Sequence, residues 1–188
     1  MSKLNEILSF NKSFVSEREY EKYATSKFPN KRMVIVTCMD TRLTEMLPKA
    51  MNLKNGDAKI IKNAGAIVTQ PFGNIMRSIL VAVYELQADE VFVIGHHNCG
   101  MTGINPEIIV EHMEERGVSS DTITTLKHSG VNLMRWLTGF DNVRDSVLQS
   151  VSIVRNHPLL PKNIVVHGLI IDPETGELEL VDSAETQA

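Results

Sequence analysis

The sequence predicts an α/β protein: a mostly parallel central sheet of about four strands plus an antiparallel edge strand, helices on both faces, and an N-terminal helical arm. Three observations predict it. Short β-branched runs alternate with longer segments of helical periodicity, the pattern of βα units that builds a parallel sheet. The first of these runs, MVIVTC (33–38), is apolar without alternation, as a strand buried on both faces is. The chain also closes on two extended runs around a PETG turn, LIIDPETGELELVD (169–182), which reads as a hairpin adding one antiparallel strand.

Taken in order, residues 1–30 carry Leu4, Ile7, Leu8 and Phe14, then Tyr20, Tyr23 and Phe28, a broken helical stripe that predicts one or two arm helices lying over another surface. The strand at 33–38 follows. A second strand is expected at DAKIIKN (57–63), and a helix where Phe72, Ile75, Met76, Ile79, Leu80, Val83 and Leu86 recur at steps of three and four. DEVFVIG (89–95) supplies the third strand. Three helical stretches come next: NPEIIVEHMEERG (105–117), stopping at Gly117, then 119–137 and 141–158, the last two opening on Ser or Asp caps. NIVVHGLII (163–171) is the fourth strand. With no internal repeat, low-complexity tract or dividing linker, residues 1–188 are expected to form one domain, an arm (1–30) and an α/β core (31–188).

Composition excludes several partners. The formal net charge of −4, from 19 basic and 23 acidic side chains, gives no long-range attraction to nucleic acid. The opening MSKLNEILSF lacks a signal-peptide core, and no run approaches the roughly 20 apolar residues that span a bilayer, so a cytoplasmic protein without a membrane partner is expected. Cys38 and Cys99, 61 positions apart, make an improbable lone disulfide in that compartment.

Their neighbours assign them other work. CMDTR (38–42) begins where the first strand closes, and GHHNCG (95–100) where the third closes. Ligands of open α/β sheets bind outside the carboxyl ends of strands, where strand order reverses. Neighbouring strands would bring Cys38, His96 and Cys99 to one point with Asp40 and Arg42 beside it. Two thiols and an imidazole suit Zn²⁺, and three protein ligands leave a fourth tetrahedral position for water or substrate. Each segment alone reads more readily as a core histidine or a buried inert thiol; it is their joint placement that argues for a metal.

Asp40 and Arg42, read blandly, are an ion pair beginning a helix. Beside a metal, a carboxylate held by a guanidinium can accept a hydrogen bond from a zinc-bound hydroxide and orient its lone pair. The alternative is that Asp40 becomes the fourth ligand and closes the site. Two thiolates also cancel the charge of zinc, so bound water should ionise above the value near 7 known for histidine cages, and activity should rise on the alkaline side.

These residues carry a resemblance. CMDTR, then NGDAKIIKNAGAIV (55–68) and VFVIGHHNCGM (91–101), look like the CxDxR, RNAG-like and GHxxCG segments of a beta-class carbonic anhydrase, over about residues 32–182. The resemblance implies one Zn²⁺ per subunit held by Cys38, His96 and Cys99, an Asp40–Arg42 dyad orienting a zinc hydroxide, and Gly100 beside the site with its backbone available. It implies reversible hydration of CO2 to bicarbonate and a proton, in homodimers or dimers of dimers whose N-terminal helices embrace the neighbour. Lys62 and Lys54 stand where the plant-like branch has arginine and glutamine, which resembles the compact bacterial and archaeal branch with open sites. The same scaffold resembles hydrolases of carbonyl sulfide or carbon disulfide, an alternative reading, as is a non-catalytic zinc-binding module in which Asp40 closes the metal. Asn63 and Gly65 are expected to shape a tight loop after the second strand, Gly65 at positive φ and Asn63 capping amides. His97 is a candidate proton relay, since imidazoles titrate near neutrality. His112, His128, His157 and His167 read as packing or surface.

Overall fold

The computed structural model describes residues 2–183; Met1 and residues 184–188 of the expected domain lie outside the described residues. One sheet has the order β2-β1-β3-β4-β5, with β1 (Met33–Cys38), β2 (Ala58–Asn63), β3 (Glu90–His96) and β4 (Val165–Ile171) parallel and β5 (Leu178–Asp182) antiparallel to β4. The chain leaves β1 to one side for β2 and returns to its other side for β3, so strand order reverses between β1 and β3. β1 and β3 are therefore neighbours, in register from Met33 opposite Glu90 to Thr37 opposite Ile94.

Alternate side chains of these strands serve two apolar layers. On one face, Val34, Val36, Val91, Val93, Val166 and Ile170 pack against α3 (Asn74–Tyr84) and α7 (Val143–Arg155), which contribute Met76, Ile79, Ala82, Val147, Val151 and Val154. On the other, Ile35, Ile94 and Ile171 pack against Leu43 and Leu47 of α2 (Leu43–Ala50), and Cys38 and Cys99 belong to this second layer. Helix α7 lies close on the sheet because Gly95 and Gly168 carry no side chain there. A Cβ on Gly95 would stand 2.8 Å from methyls of Val143 and Val147, and one on Gly168 2.8 Å from Val147. Gly95→Ala is expected to cost about 1–3 kcal/mol by overpacking. A thermal unfolding midpoint unchanged from the parent protein would contradict that reading of the contact.

Two elements differ from expectation. Helix α2 begins where the Asp40–Arg42 pair was expected to open a helix, but its sequence shows no helical stripe: it is eight residues long, carries Pro48 inside it, and buries Leu43 and Leu47 alone. Proline removes an internal hydrogen bond, so local propensity argues against a helix that tertiary packing nonetheless imposes. The stretch 119–137 is not one helix but α5 (Ser120–His128) and α6 (Leu133–Leu137). Gly130, at φ 87°, ends the first in a left-handed cap, with Val131 N–H donating back to Leu126 O at 3.0 Å, and Asn132 caps the second. Helix α4 (Pro106–Glu115) stops just before Gly117, as its glycine predicts.

At the start, α1 (Lys3–Ser16) leads into a 3-10 turn (Glu19–Tyr23). No residue of α1 is buried, and Leu4, Ile7, Leu8 and Phe10 are all more than half exposed. Its apolar stripe is thus uncovered within the single chain.

Candidate metal centre

β1 ends on Cys38 and β3 on His96, side by side at the point where strand order reverses. After His96 the chain makes a tight turn: His97 N–H donates to Ile171 O on β4 at 3.1 Å, Asn98 adopts φ 53°, and Thr102 N–H closes on Cys99 O at 3.0 Å. This turn returns Cys99 beside Cys38, their sulfurs 3.9 Å apart. The donor atoms of Cys38, His96 and Cys99 all lie within 4.8 Å of one another, and all three residues are buried.

The ring of His96 is oriented by the main chain. Its Nδ1 lies 2.8 Å from the carbonyl of His97, which accepts a hydrogen bond from Nδ1–H and so leaves the lone pair on Nε2. Nε2 is buried and has no hydrogen-bond partner. A buried unpaired acceptor is costly, and a metal ion bound between the three donors would satisfy it. Two thiols and an imidazole with this orphaned nitrogen fit a tetrahedral Zn²⁺ held by three protein ligands.

Without metal the two thiols differ. Burial pushes Cys38 up, but the His96 imidazole and the amides of Gly65 and Asp40 outweigh it and bring the thiol down to about 7. Burial pushes Cys99 up, with Cys38 adding to the shift against the amide of Met101, to about 11. His96 is pulled down by burial, yet Cys38 and the His97 carbonyl raise it overall. Metal binding must therefore expel the Cys99 proton across the neutral range, and the Cys38 proton too as pH falls below its value. Zinc affinity is expected to rise with pH, with release of at least about one proton per zinc at pH 8 and more at pH 6. Calorimetry in buffers of different ionisation enthalpy reads that number; proton-independent binding would refute it.

Asp40 stands 3.8 Å from His96 Nε2 through Oδ2. Arg42 grips it: its backbone N–H and Nε donate to Oδ1 at 2.9 and 3.0 Å, and Nη2 donates to Oδ2 at 2.8 Å. That grip holds the carboxyl down at about 2. Arg42 Nη2 also donates to the main-chain oxygen of Asn98 at 3.1 Å.

The loop after β2 covers Cys38. Asn63 lies opposite Cys38 in the β1–β2 register, and Met39 N–H donates to Asn63 O at 2.8 Å. Gly65 takes φ 78°, and a Cβ there would also press at 3.0 Å on Phe140 and Ile67, so the position needs glycine to aim its amide at the thiol. Asn63 donates through Nδ2 to Ile67 O at 2.8 Å rather than capping amides, and its buried Oδ1 has no partner. A cavity of about 240 Å³ lies beside this loop, lined by Asn63, Ile67, Thr69, Gln70, Asn74 and Trp136 among others. The side chain of His97 is exposed; its carbonyl, not its ring, touches His96. Gly100 is exposed with open space where a Cβ would stand, and the amide serving Cys99 comes from Met101.

The remaining histidines lie apart. His157 is buried between Pro71 O and Leu159 N–H, and His167 stacks on Phe92. Phe140, Met101 and Asn98 join the site without having been singled out; the asparagine is the one that carried a signal, as a residue type favoured in tight turns.

Comparison with known proteins agrees with this geometry. A family model described as carbonic anhydrase matches residues 33–178. The chain is 61% identical over 181 residues to the Bacillus subtilis protein named "Putative carbonic anhydrase YtiB", covering 96% of this chain and 97% of that one. It is 29% identical over 157 residues to a carbon disulfide hydrolase of Acidithiobacillus thiooxidans, covering 79% and 76%. The crystal structure of beta-carbonic anhydrase isoform I from Trichomonas vaginalis superposes with a TM-score of 0.86 at 36% identity, over 97% of this chain and 99% of that one.

Proposed function

The chain belongs to the beta-class carbonic anhydrase family, and on that premise we propose that it catalyses reversible hydration of CO2 to bicarbonate and a proton, using one Zn²⁺ held by Cys38, His96 and Cys99. The observation that carries the proposal is the convergence of those three buried donors beside a carboxylate already locked by Arg42. Zinc bound there supplies Lewis acidity, making a water a competent nucleophile near neutral pH.

The protein's own groups do the rest. Asp40, acceptor-only because Arg42 keeps it ionised, takes a hydrogen bond from the attacking oxygen and so turns a lone pair toward carbon. Arg42 supplies the rigidity, since a bidentate fork leaves the carboxylate no freedom to rotate. Engagement of both Asp40 oxygens by Arg42 speaks for an open site rather than one closed by Asp40. Phe140 and Met101, packed around Cys38 and Cys99, offer an apolar wall to a substrate without a dipole. His97, exposed and one residue from His96, is the exit for the proton to buffer. Asn63 and Gly65 shape the pocket behind Cys38, and the backbone of Gly100 borders its mouth.

Carbon disulfide or carbonyl sulfide hydrolysis is the second reading, favoured by the carbon disulfide hydrolase among the relatives. Parallel assays of zinc-loaded protein on CO2, COS and CS2 decide between them; the proposal expects kcat/KM for CO2 to exceed the others by at least about a hundredfold, and sulfide release that outpaces CO2 hydration would reverse the assignment.

The protein acts as a single-domain subunit in the cytoplasm, where reducing conditions keep thiol ligands available. No described helix is long and apolar enough to cross a membrane. The uncovered stripe of α1 supports a homodimer, or a dimer of dimers, in which the arm of one subunit lies on the other. Sedimentation at micromolar concentration should show a dimer or larger, and I7E/L8E should shift it toward monomer. A parent protein that sediments as monomer would contradict this.

A further inference from the structure

We propose that Asn98 is a positioning residue for the Asp40–Arg42 pair, acting through its main-chain carbonyl; the inference rests on the catalytic reading above. Arg42 is not held by Asp40 alone. Nη2 donates to Asp40 Oδ2 at 2.8 Å and to Asn98 O at 3.1 Å, so the guanidinium spans the two loops that follow the ligand-bearing strands, one after β1 and one after β3. Asp40 is two residues from Arg42 on the same loop, and a pair tied only to itself would swing as a unit relative to His96 and Cys99. The carbonyl of Asn98 is the described contact that fixes the guanidinium to the second loop.

That carbonyl points at Arg42 because Asn98 sits at φ 53°. The turn is anchored on either side, by His97 N–H on Ile171 O and Thr102 N–H on Cys99 O, so the conformation at residue 98 sets where its oxygen lies. The Asn98 side chain makes no hydrogen bond among the described residues and is exposed. Its contribution is therefore conformational: asparagine enters the left-handed region more readily than other non-glycine residues, and a β-branched residue is strongly disfavoured there.

A purely structural role would run through Cys99, which the same turn delivers to the cage. The two roles separate in a double-mutant cycle of N98V and R42A, with N98G as the conservative rescue, in zinc-quantified protein. N98V is expected to lower kcat for CO2 about tenfold or more with little change in KM. N98G should recover to within about threefold of the parent protein. On the R42A background, N98V should cost less than about twofold further, because its effect passes through Arg42. An equal cost in both backgrounds assigns the residue to delivery of Cys99 and overturns the proposal.

The second readout needs no activity. The signal of the Arg42 Nη2 protons, the group that donates to Asn98 O, identified in a nitrogen-resolved NMR spectrum by its loss in R42A, should be slow to exchange in the parent protein and in N98G, and shifted and fast-exchanging in N98V. An unchanged signal in N98V overturns the proposal. If fully zinc-loaded parent protein hydrates no CO2, the catalytic reading fails and this signal alone decides the role of Asn98. Should N98V not fold, N98A is read with the same signs.

Discussion

Asp40→Ala is expected to lower CO2 hydration about 10²–10³-fold while zinc stays near one per chain. Both carboxylate oxygens of Asp40 are engaged by Arg42, and on the proposed reading the residue holds the attacking oxygen rather than the metal. The grip also sets its pH behaviour. A carboxyl held at about 2 is ionised throughout the working range, and its pairing is lost only as pH falls toward that value. Protonation of Asp40 should therefore leave no inflection in the rate profile above pH 4. Metal analysis of the purified variant separates the alternatives: loss of zinc comparable to that of a ligand variant would make Asp40 a fourth ligand and contradict the open site.

Cys38→Ser should act on the metal itself. The thiol receives two main-chain amides and is already the more acidic of the pair, at about 7, which makes it the ligand best prepared to bind as thiolate. A serine hydroxyl is harder, shorter and un-ionised near neutrality, and a poor partner for zinc. Affinity is expected to fall by more than about a hundredfold, beyond what loss of an outer partner costs. Activity goes with it. Because a ligand bound to the folded state stabilises that state, zinc should raise the unfolding temperature of the parent protein and fail to raise that of the variant. Retention of zinc by C38S against a competing chelator would remove Cys38 from the cage.

The contrast between these two variants rests on how the site is built, and much of it is legible in the chain. MVIVTC runs straight from a buried strand into CMDTR, and DEVFVIG into GHHNCG; parallel strands end at one edge, so two such endings on adjacent strands must meet. Four features escaped the local pattern. Helix α2 is too short and too burdened by Pro48 to announce itself, and it forms because Leu43 and Leu47 close the second apolar layer over Ile35 and Ile94. The break at Gly130 was visible as a glycine followed by an asparagine cap, but periodicity on both sides hid it. The bond from Arg42 to the carbonyl of Asn98 joins positions 56 apart through the main chain, where side-chain identity speaks only indirectly. The unpaired oxygen of Asn63 is likewise a product of packing: the amide faces Ile67 O, and the residue type alone does not say which end is satisfied.

The central claim is that zinc in the Cys38–His96–Cys99 cage drives hydration of CO2. Stopped-flow hydration by zinc-quantified protein from pH 6.5 to 9, beside Cys99→Ala prepared in parallel, tests it most directly. The account predicts a rate proportional to bound zinc that climbs with pH and is absent from the variant. Full zinc loading with no CO2 hydration anywhere in that range would contradict it.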